Sequence, residues 1–276
     1  MGIKQQHGFT IVELSLFLGI SALVIVTLLT ATTFSIQRQR FTDSVNGSQA
    51  FLQQQYNEVD VTLNNRSDKV CSAAESLASK RGASKCVIVG KIIDLNPPIN
   101  TNASTNPNKE HYIRSYYVIG DIPVDADGYD INNITTLDPN FNLTAISADD
   151  SNQQFIIPWG AVFTDQSVRD SGGSINRTGT TLVNYLLILR SPKTGLVQTL
   201  KYVGTTPLFN GADVVRALSP TDIREFDNAD DDPSVKACMQ SADIVTATAL
   251  LKIQPLGSQD AVTTQFDGVE VEGWCV

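Results

Sequence analysis

The feature that most constrains this chain is a long apolar stretch near its N-terminus that carries no charge. After Glu13 no acidic or basic side chain occurs until Arg38, so residues 14–37 form a charge-free window. At about 1.5 Å per residue, a helix of this length spans the roughly 30 Å hydrocarbon core of a bilayer. An unpaired carboxylate at the mouth of such a segment costs on the order of a few kcal/mol. Glu13 therefore calls for a functional explanation.

A short polar leader, with Lys4 as its only charged side chain, precedes the motif GFTIVE at residues 8–13. The leader, the motif and the apolar run together resemble the class III signal of type IV prepilins and of type II secretion pseudopilins. The resemblance covers roughly residues 1–30. It departs from many family members in one respect, because the apolar run contains no proline. The resemblance therefore allows a straighter helix, or one that loosens at Gly19 or around residues 30–33.

The resemblance implies a role for three residues. Gly8 would be the last leader residue, Phe9 the new and methylated N-terminus, and Glu13 the carboxylate that pairs with the N-terminus of a neighbouring subunit. A carboxylate that meets an ammonium group at low dielectric is stabilised and oriented, whereas either charge alone is costly there. The implied partners are a prepilin peptidase/methyltransferase, other pilin subunits packed helix against helix, and an inner-membrane assembly platform.

The implied localisation is the bacterial cytoplasmic membrane for the precursor, a single-pass protein, and an extracytoplasmic filament or the cell surface for the mature chain. A mature chain only eight residues shorter than 276 is large for a repeating major pilin and favours a minor pilin or pseudopilin. The alternatives are a plain signal anchor, a non-polymerising adhesin, and a membrane-anchored surface domain with a binding or enzymatic role. In a secretory signal the charge would precede a shorter apolar core, whereas Glu13 lies within the apolar start.

Beyond the membrane run, apolar residues recur on one helical face. They are Phe41, Val45, Leu52, Tyr56, Val59 and Leu63, with polar residues such as Gln53, Gln54 and Gln55 between them. We predict one continuous helix over residues 9–64, weakened locally at Gly47 because glycine costs up to about 1 kcal/mol in a helix. The predicted organisation is a leader at 1–8, a transmembrane and assembly helix at 9–36, an amphipathic extension at 37–65 and an exported β-rich domain at 66–276.

The pattern after residue 86 is dominated by strands. Candidate strands are residues 86–95, 111–119, 154–157, 161–163, 181–190, 196–203, 244–253 and 262–271, of which 181–190 and 196–203 form the clearest hairpin. A short helix is predicted at 67–80, an irregular stretch at 120–153 and an acidic loop at 221–232. The predicted fold class is α+β and pilin-like: a long N-terminal helix packed on an antiparallel β-sheet.

Composition argues against several functions. The formal net charge is -9 and the basic residues are scattered, so we expect no nucleic-acid partner, which would need clustered Lys and Arg. The chain lacks the common nucleophile, metalloprotease, phosphate-binding and dinucleotide motifs. Of its two histidines only His111 lies in the predicted exported part, which disfavours histidine-dependent nucleophilic catalysis. We therefore predict a non-enzymatic protein with no catalytic residues.

Four cysteines lie in the predicted exported part. An even count outside the cytoplasm favours two disulfides, with three connectivities open, and zinc is the weaker alternative because no Cys-x-x-Cys pair occurs. We favour the local pairing Cys71–Cys86 and Cys238–Cys275. One metal site is also conceivable from the sequence. Asp125, Asp127 and Asp130 surround a glycine and resemble an oxygen cage for calcium, without the full EF-hand pattern; the alternative is a solvated acidic turn.

Overall fold

The computed structural model describes residues 10–61, 86–95, 111–121, 143–146, 153–163, 185–190, 196–202, 215–218, 223–224, 234–241, 247–257, 260–266 and 275. Its α-helix and β-strands, numbered in chain order, are α1 (Ile11–Val61), β1 (Cys86–Asp94), β2 (His111–Asp121), β3 (Leu143–Ile146), β4 (Gln153–Ile157), β5 (Ala161–Phe163), β6 (Tyr185–Arg190), β7 (Val197–Tyr202), β8 (Val215–Leu218), β9 (Ile223–Arg224), β10 (Val235–Ser241), β11 (Thr248–Ile253) and β12 (Val262–Gln265). The described fold is therefore α+β.

Helix α1 runs without a break for 51 residues, about 76 Å at 1.5 Å per residue. It passes through Gly19 and Gly47, so neither glycine interrupts it. The prediction of one continuous helix is confirmed over the described residues, and Leu63 lies outside them. Burial begins abruptly at Phe41, and the buried side chains of α1 are Phe41, Ser44, Val45, Ser48, Leu52, Gln55, Tyr56 and Val59. Their spacing of three or four residues places them on one helical face.

The strands form two antiparallel sheets rather than the single sheet expected from the sequence. The large sheet has the order β8-β3-β2-β1-β6-β7-β9, and β4 pairs with β2 beside β3. The small sheet has the order β12-β11-β10-β5. Strand β2 accommodates two neighbours on one edge because it is long, with β4 pairing along residues 111–115 and β3 along 117–120. The sequence analysis thus predicted the antiparallel pairing of the strands correctly and the number of sheets wrongly.

The first strand of the predicted hairpin, β6, lies in the interior of the large sheet, and its partner β7 lies next to the edge strand β9. Strand β6 pairs with β1 on one side and with β7 on the other. Both of its faces are buried: Leu186 and Ile188 pack towards α1, whereas Leu187 and Leu189 belong to a second apolar cluster. A strand covered on both faces is expected to be continuously apolar.

One core joins α1 to both sheets. The buried face of α1 packs with Ile93, Leu186 and Ile188 of the large sheet and with Met239 and Leu251 of the small sheet in the same apolar cluster. The turn at residues 158–160 carries the chain from β4 in the large sheet to β5 in the small one. A second link lies after β11, where the Thr199 amide donates to Pro255 O at 2.7 Å. The two sheets therefore share one core instead of forming separate units.

Four strands lie where the sequence predicted none. Strand β3 lies within the stretch 120–153, which was predicted to be irregular, and β9 lies within the predicted acidic loop at 221–232. Strands β8 and β10 were not predicted at all. Strands β3, β8 and β9 have only two to four residues, which is too few for a periodicity that separates a strand from a loop. The predicted helix at 67–80 lies outside the described residues.

Candidate functional site

The first turn of α1 is fixed by reciprocal hydrogen bonds between Thr10 and Glu13. The Thr10 backbone amide donates to Glu13 Oε2 at 2.9 Å, and the Thr10 hydroxyl donates to the same oxygen at 3.0 Å. In return the Glu13 amide donates to Thr10 Oγ1 at 3.3 Å. This is a capping box, which satisfies amides that the first helical turn leaves without partners. A negative charge at this end of a helix is also favoured by the helix dipole.

The capping box uses only part of the hydrogen-bonding capacity of the Glu13 carboxylate. Both bonds from Thr10 reach Oε2, and an ionised carboxylate accepts about four hydrogen bonds in all. Glu13 is exposed in this single chain and is the only charged side chain between residues 10 and 37. It therefore combines a structural role within its own helix with capacity for a cationic group outside it.

Five hydroxyl side chains of the apolar half are bonded within the helix. Thr27 donates to Val24 O at 2.8 Å, and Thr33 donates to Leu29 O at 2.9 Å. Ser15, Thr30 and Thr32 make bonds of the same kind to carbonyls three or four residues earlier. Such bonds remove the need for water, because in a bilayer each polar group needs a partner within the protein. These five hydroxyl groups are thus compatible with hydrocarbon.

The apolar side chains of this half are exposed. Between Ile11 and Ile36 the exposed fraction of the large apolar side chains ranges from 46% at Val24 to 85% at Ile11. By length and composition α1 is one helix able to cross a membrane, and its most apolar stretch is not buried. Within the described residues the chain thus has one candidate transmembrane helix. An exposed apolar surface this long marks a contact with lipid or with other helices.

The remaining site residues predicted from the sequence are only partly placed. Gly8, Phe9 and the aspartates Asp125, Asp127 and Asp130 lie outside the described residues, and so does Cys71. Only the backbones of Cys86 and His111 are described, in β1 and at the start of β2. Among the side chains that are described, no group of three or more His, Cys, Asp and Glu could hold a metal ion.

The predicted disulfide between Cys238 and Cys275 is present, with the two Cα atoms 5.5 Å apart. Cys238 lies in β10, and Cys275 packs against the buried cluster of Cys238 and Leu250. The bond therefore ties the C-terminal end of the chain to the middle of the small sheet.

Sequence reasoning missed a buried polar cluster between α1 and β1, which comprises Lys91, Gln55, Glu58 and Gln153. The Lys91 side chain is 3% exposed and forms an ion pair with Glu58, whose side chain is 23% exposed. Lys91 Nζ also donates to Gln55 Oε1 at 2.8 Å and to Gln153 Oε1 at 2.7 Å. A lysine in the middle of the apolar run CVIVGKIID was the sequence signal for this cluster, because a charge in such a strand requires partners.

Burial and ion pairing shift the pKa values of Glu58 and Lys91 in opposite directions. Desolvation raises the pKa of Glu58, but hydrogen bonds from Lys91, Gln153 and Gln54, together with the charge of Lys91, outweigh it and hold that pKa below its ordinary value. Desolvation lowers the pKa of Lys91, and Glu58 opposes this only in part. The lysine, as the more deeply buried partner, bears most of the desolvation cost.

The cavity beside the cluster is small. It measures about 40 Å³ and is lined by Glu58, Val59, Ile88, Val89, Gly90, Lys91 and Tyr117. Ligand pockets usually measure about 300–1,000 Å³. The cluster therefore fits an internal connection between helix and sheet better than a substrate site.

Comparison with protein-family models, with curated proteins and with solved structures finds no match to this chain. The described residues themselves define its class: an α+β protein with one candidate transmembrane helix at its N-terminus, continuous with the helix of its folded core.

Proposed function

We propose that this chain is a structural subunit of a type IV pilus-like filament, either a minor pilin or a pseudopilin, matured by cleavage after Gly8 and methylation of Phe9. The observation that carries the proposal is the division of α1 into two halves. The half before Phe41 is exposed and mainly apolar, whereas the half from Phe41 onwards buries one face under both sheets. The GFTIVE motif lies at the start of the exposed half.

The continuity of α1 supports a role in assembly beyond anchoring. About 20 apolar residues suffice to hold a domain at a membrane, and a flexible linker could join them to it. Here the membrane-length segment is instead the rigid extension of a core helix, which fixes the orientation of the domain relative to the segment. Such a rigid geometry suits subunits that stack in a regular array through their exposed helices.

Glu13 supports the same proposal because it lies where the exposed apolar surface begins. In a bundle of such helices its carboxylate would need a cation, and the amino group of a processed neighbouring subunit supplies one. The partners would be the prepilin peptidase/methyltransferase, the other subunits and an inner-membrane assembly platform. The precursor would reside in the bacterial cytoplasmic membrane, and the assembled chain outside it.

The test is the intact mass of the protein in membrane fractions and in material sheared from the cell surface. We expect loss of residues 1–8 and gain of one methyl group, with the processed species present in the sheared material. Gly8→Val should block the processing, and Gly2→Val provides a matched glycine control within the same leader. A full-length chain confined to the membrane would contradict the proposal and would point to an anchored surface domain with a binding or enzymatic role.

A further inference from the structure

The turn between β4 and β5 lies against α1 where the helix emerges from the folded domain. Ser44 Oγ donates to Pro158 O at 2.7 Å, which fixes the start of the turn on the helix. The next residue, Trp159, lies over Arg40, with the Arg40 Cζ atom 4.6 Å from the centre of the ring. Arg40 directly precedes Phe41, the first buried residue of α1. The turn thus marks the edge of the described domain on the side of the exposed helix.

Trp159 occupies this turn in an unfavourable conformation and without full burial. Its backbone φ is 61°, and the following Gly160 has a φ of 66°. A left-handed backbone costs a bulky residue conformational free energy. The side chain remains 52% exposed, so the apolar core does not offset this cost in the isolated chain. A half-exposed indole beside an arginine is therefore explained better by a contact outside the described domain.

The position of the ring along α1 indicates what that contact is. Ile36, on the exposed apolar surface, lies one helical turn before Arg40, about 6 Å along the axis. The headgroup region adds roughly 5–8 Å on each side of the hydrocarbon core. A bilayer that covers the exposed half of α1 as far as Ile36 therefore places Trp159 and Arg40 at headgroup level. Tryptophan is enriched at this level, and arginine extends its guanidinium towards it.

We propose that Trp159 and Arg40 form a membrane-surface contact that seats the folded domain on the headgroup layer of the bilayer before assembly. The inference rests on the membrane insertion of α1 that is part of the proposed function, but not on cleavage or polymerisation. Since the net charge of the chain is -9, general electrostatic attraction does not bring the domain to an anionic surface. The contact therefore depends on the indole and its neighbouring arginine, and neutral lipids suffice for it.

The chain contains two tryptophans, Trp159 and Trp274, which allows a direct test. The full chain carrying Trp274→Phe is reconstituted into phosphatidylcholine vesicles whose acyl chains are brominated either near the headgroup or near the bilayer centre. We expect a blue shift of Trp159 emission on reconstitution, and a greater loss of emission with shallow bromines than with deep ones. Addition of phosphatidylglycerol should leave this order unchanged.

Trp159→Phe, which retains only Trp274, supplies the reference quenching, and circular dichroism checks that both single-tryptophan chains fold. If the Trp274→Phe chain fails to fold, Trp274→Tyr replaces it and excitation at 295 nm still selects Trp159. Flotation with the vesicles measures insertion separately. A chain that floats but whose Trp159 is quenched no more than the reference contradicts this inference alone. A chain that does not float contradicts both this inference and the membrane insertion required by the proposed function.

Discussion

Glu13 completes a capping box and has a second, assembly role in the proposed filament, and single substitutions separate the two roles. Its carboxylate completes the capping box with Thr10 in the isolated chain, and in an assembly it would neutralise a cation contributed by a neighbour. The capping role requires a hydrogen-bond acceptor, whereas the assembly role requires a negative charge. Glutamine meets the first requirement and fails the second, because the capping box accepts either residue.

We therefore expect Glu13→Gln and Glu13→Ala to abolish incorporation into sheared filaments while leaving membrane insertion intact. Thr10→Val, which removes the cap at a cost of about 1 kcal/mol but keeps the charge, should leave incorporation measurable. Immunoblots of sheared and membrane fractions give the comparison. Wild-type levels of Glu13→Gln in the sheared fraction would exclude an assembly role for the charge.

A second prediction concerns the ion pair of Lys91 and Glu58. Glu58→Gln leaves a buried ammonium group without a counter-charge, which costs about 3 kcal/mol of unfolding free energy. Adding Lys91→Met to it removes that charge, so the double variant should be more stable than Glu58→Gln alone. Thermal unfolding of the full chain in detergent micelles measures this. The two side chains would be shown not to interact if the double variant lost as much unfolding free energy as Glu58→Gln alone, or if its loss equalled the sum of the losses from the two single substitutions.

The pH dependence of stability follows from the same pair. The native pKa of Glu58 lies below its unfolded value, so its stabilisation is complete above about pH 4.5 and is lost as the pH falls through the native pKa. Glu58→Gln should therefore flatten the acid limb of the stability profile. The native pKa of Lys91 is also lowered, so its contribution to stability rises as the pH increases from that value towards 10.5. A profile whose acid limb is unchanged in Glu58→Gln would contradict the assignment.

The sequence identified the apolar residues of the helix–sheet interface better than the polar ones. The face formed by Phe41, Val45, Leu52, Tyr56 and Val59 follows helical periodicity and is buried as predicted. Gln55 was assigned to the polar side, yet its side chain is fully buried. Its burial is tolerated because its side-chain oxygen accepts a hydrogen bond from Lys91. That partner is 36 residues away, and periodicity within one helix contains no information about it.

At the scale of single elements, α1 and β4 meet closely at Gly47. A Cβ atom at Gly47 would lie 2.8 Å from Cζ of Phe155, whose ring stacks on Phe51 with the ring centres 5.6 Å apart. The glycine predicted to weaken the helix thus permits the close approach of a strand. The strands themselves were predictable where apolar runs are long, as in β1, β2 and β6. The division into two sheets was not, because it depends on pairings between distant segments such as β5 with β10.

Gly47→Val should therefore destabilise the folded domain by about 1–3 kcal/mol through overpacking against Phe155. Gly19 is the matched control, because a Cβ atom there meets nothing within 4 Å. Gly19→Val should leave the thermal midpoint of the domain unchanged. Near-ultraviolet circular dichroism and thermal unfolding in micelles report both variants. Equal midpoints for the two would contradict close packing at Gly47.

At the scale of the whole molecule, the disulfide Cys238–Cys275 and helix α1 connect distant parts of the described residues. The disulfide Cys238–Cys275 closes a loop between residues 37 positions apart. Loop-closure entropy for this separation corresponds to about 4 kcal/mol of stabilisation. Cys275→Ser should lower the unfolding free energy towards that amount, and a reducing agent should lower the unfolding free energy of the wild type by more than that of the variant. Unfolding curves in micelles with and without reductant test this, and an unaffected wild type would exclude a stabilising role.

The shared core also determines how the molecule carries mechanical load. Helix α1 lies against both sheets at once, with Gln49 donating to Val262 O of the small sheet at 2.9 Å and Tyr56 joined to Thr199 of the large sheet at 2.6 Å. Tension along the helix axis therefore acts as shear on both attachments in parallel and cannot peel one sheet away before the other. To pull the helix free, a force must break the contacts with both sheets together. A load applied to the exposed half of α1 is therefore resisted by both sheets of the domain.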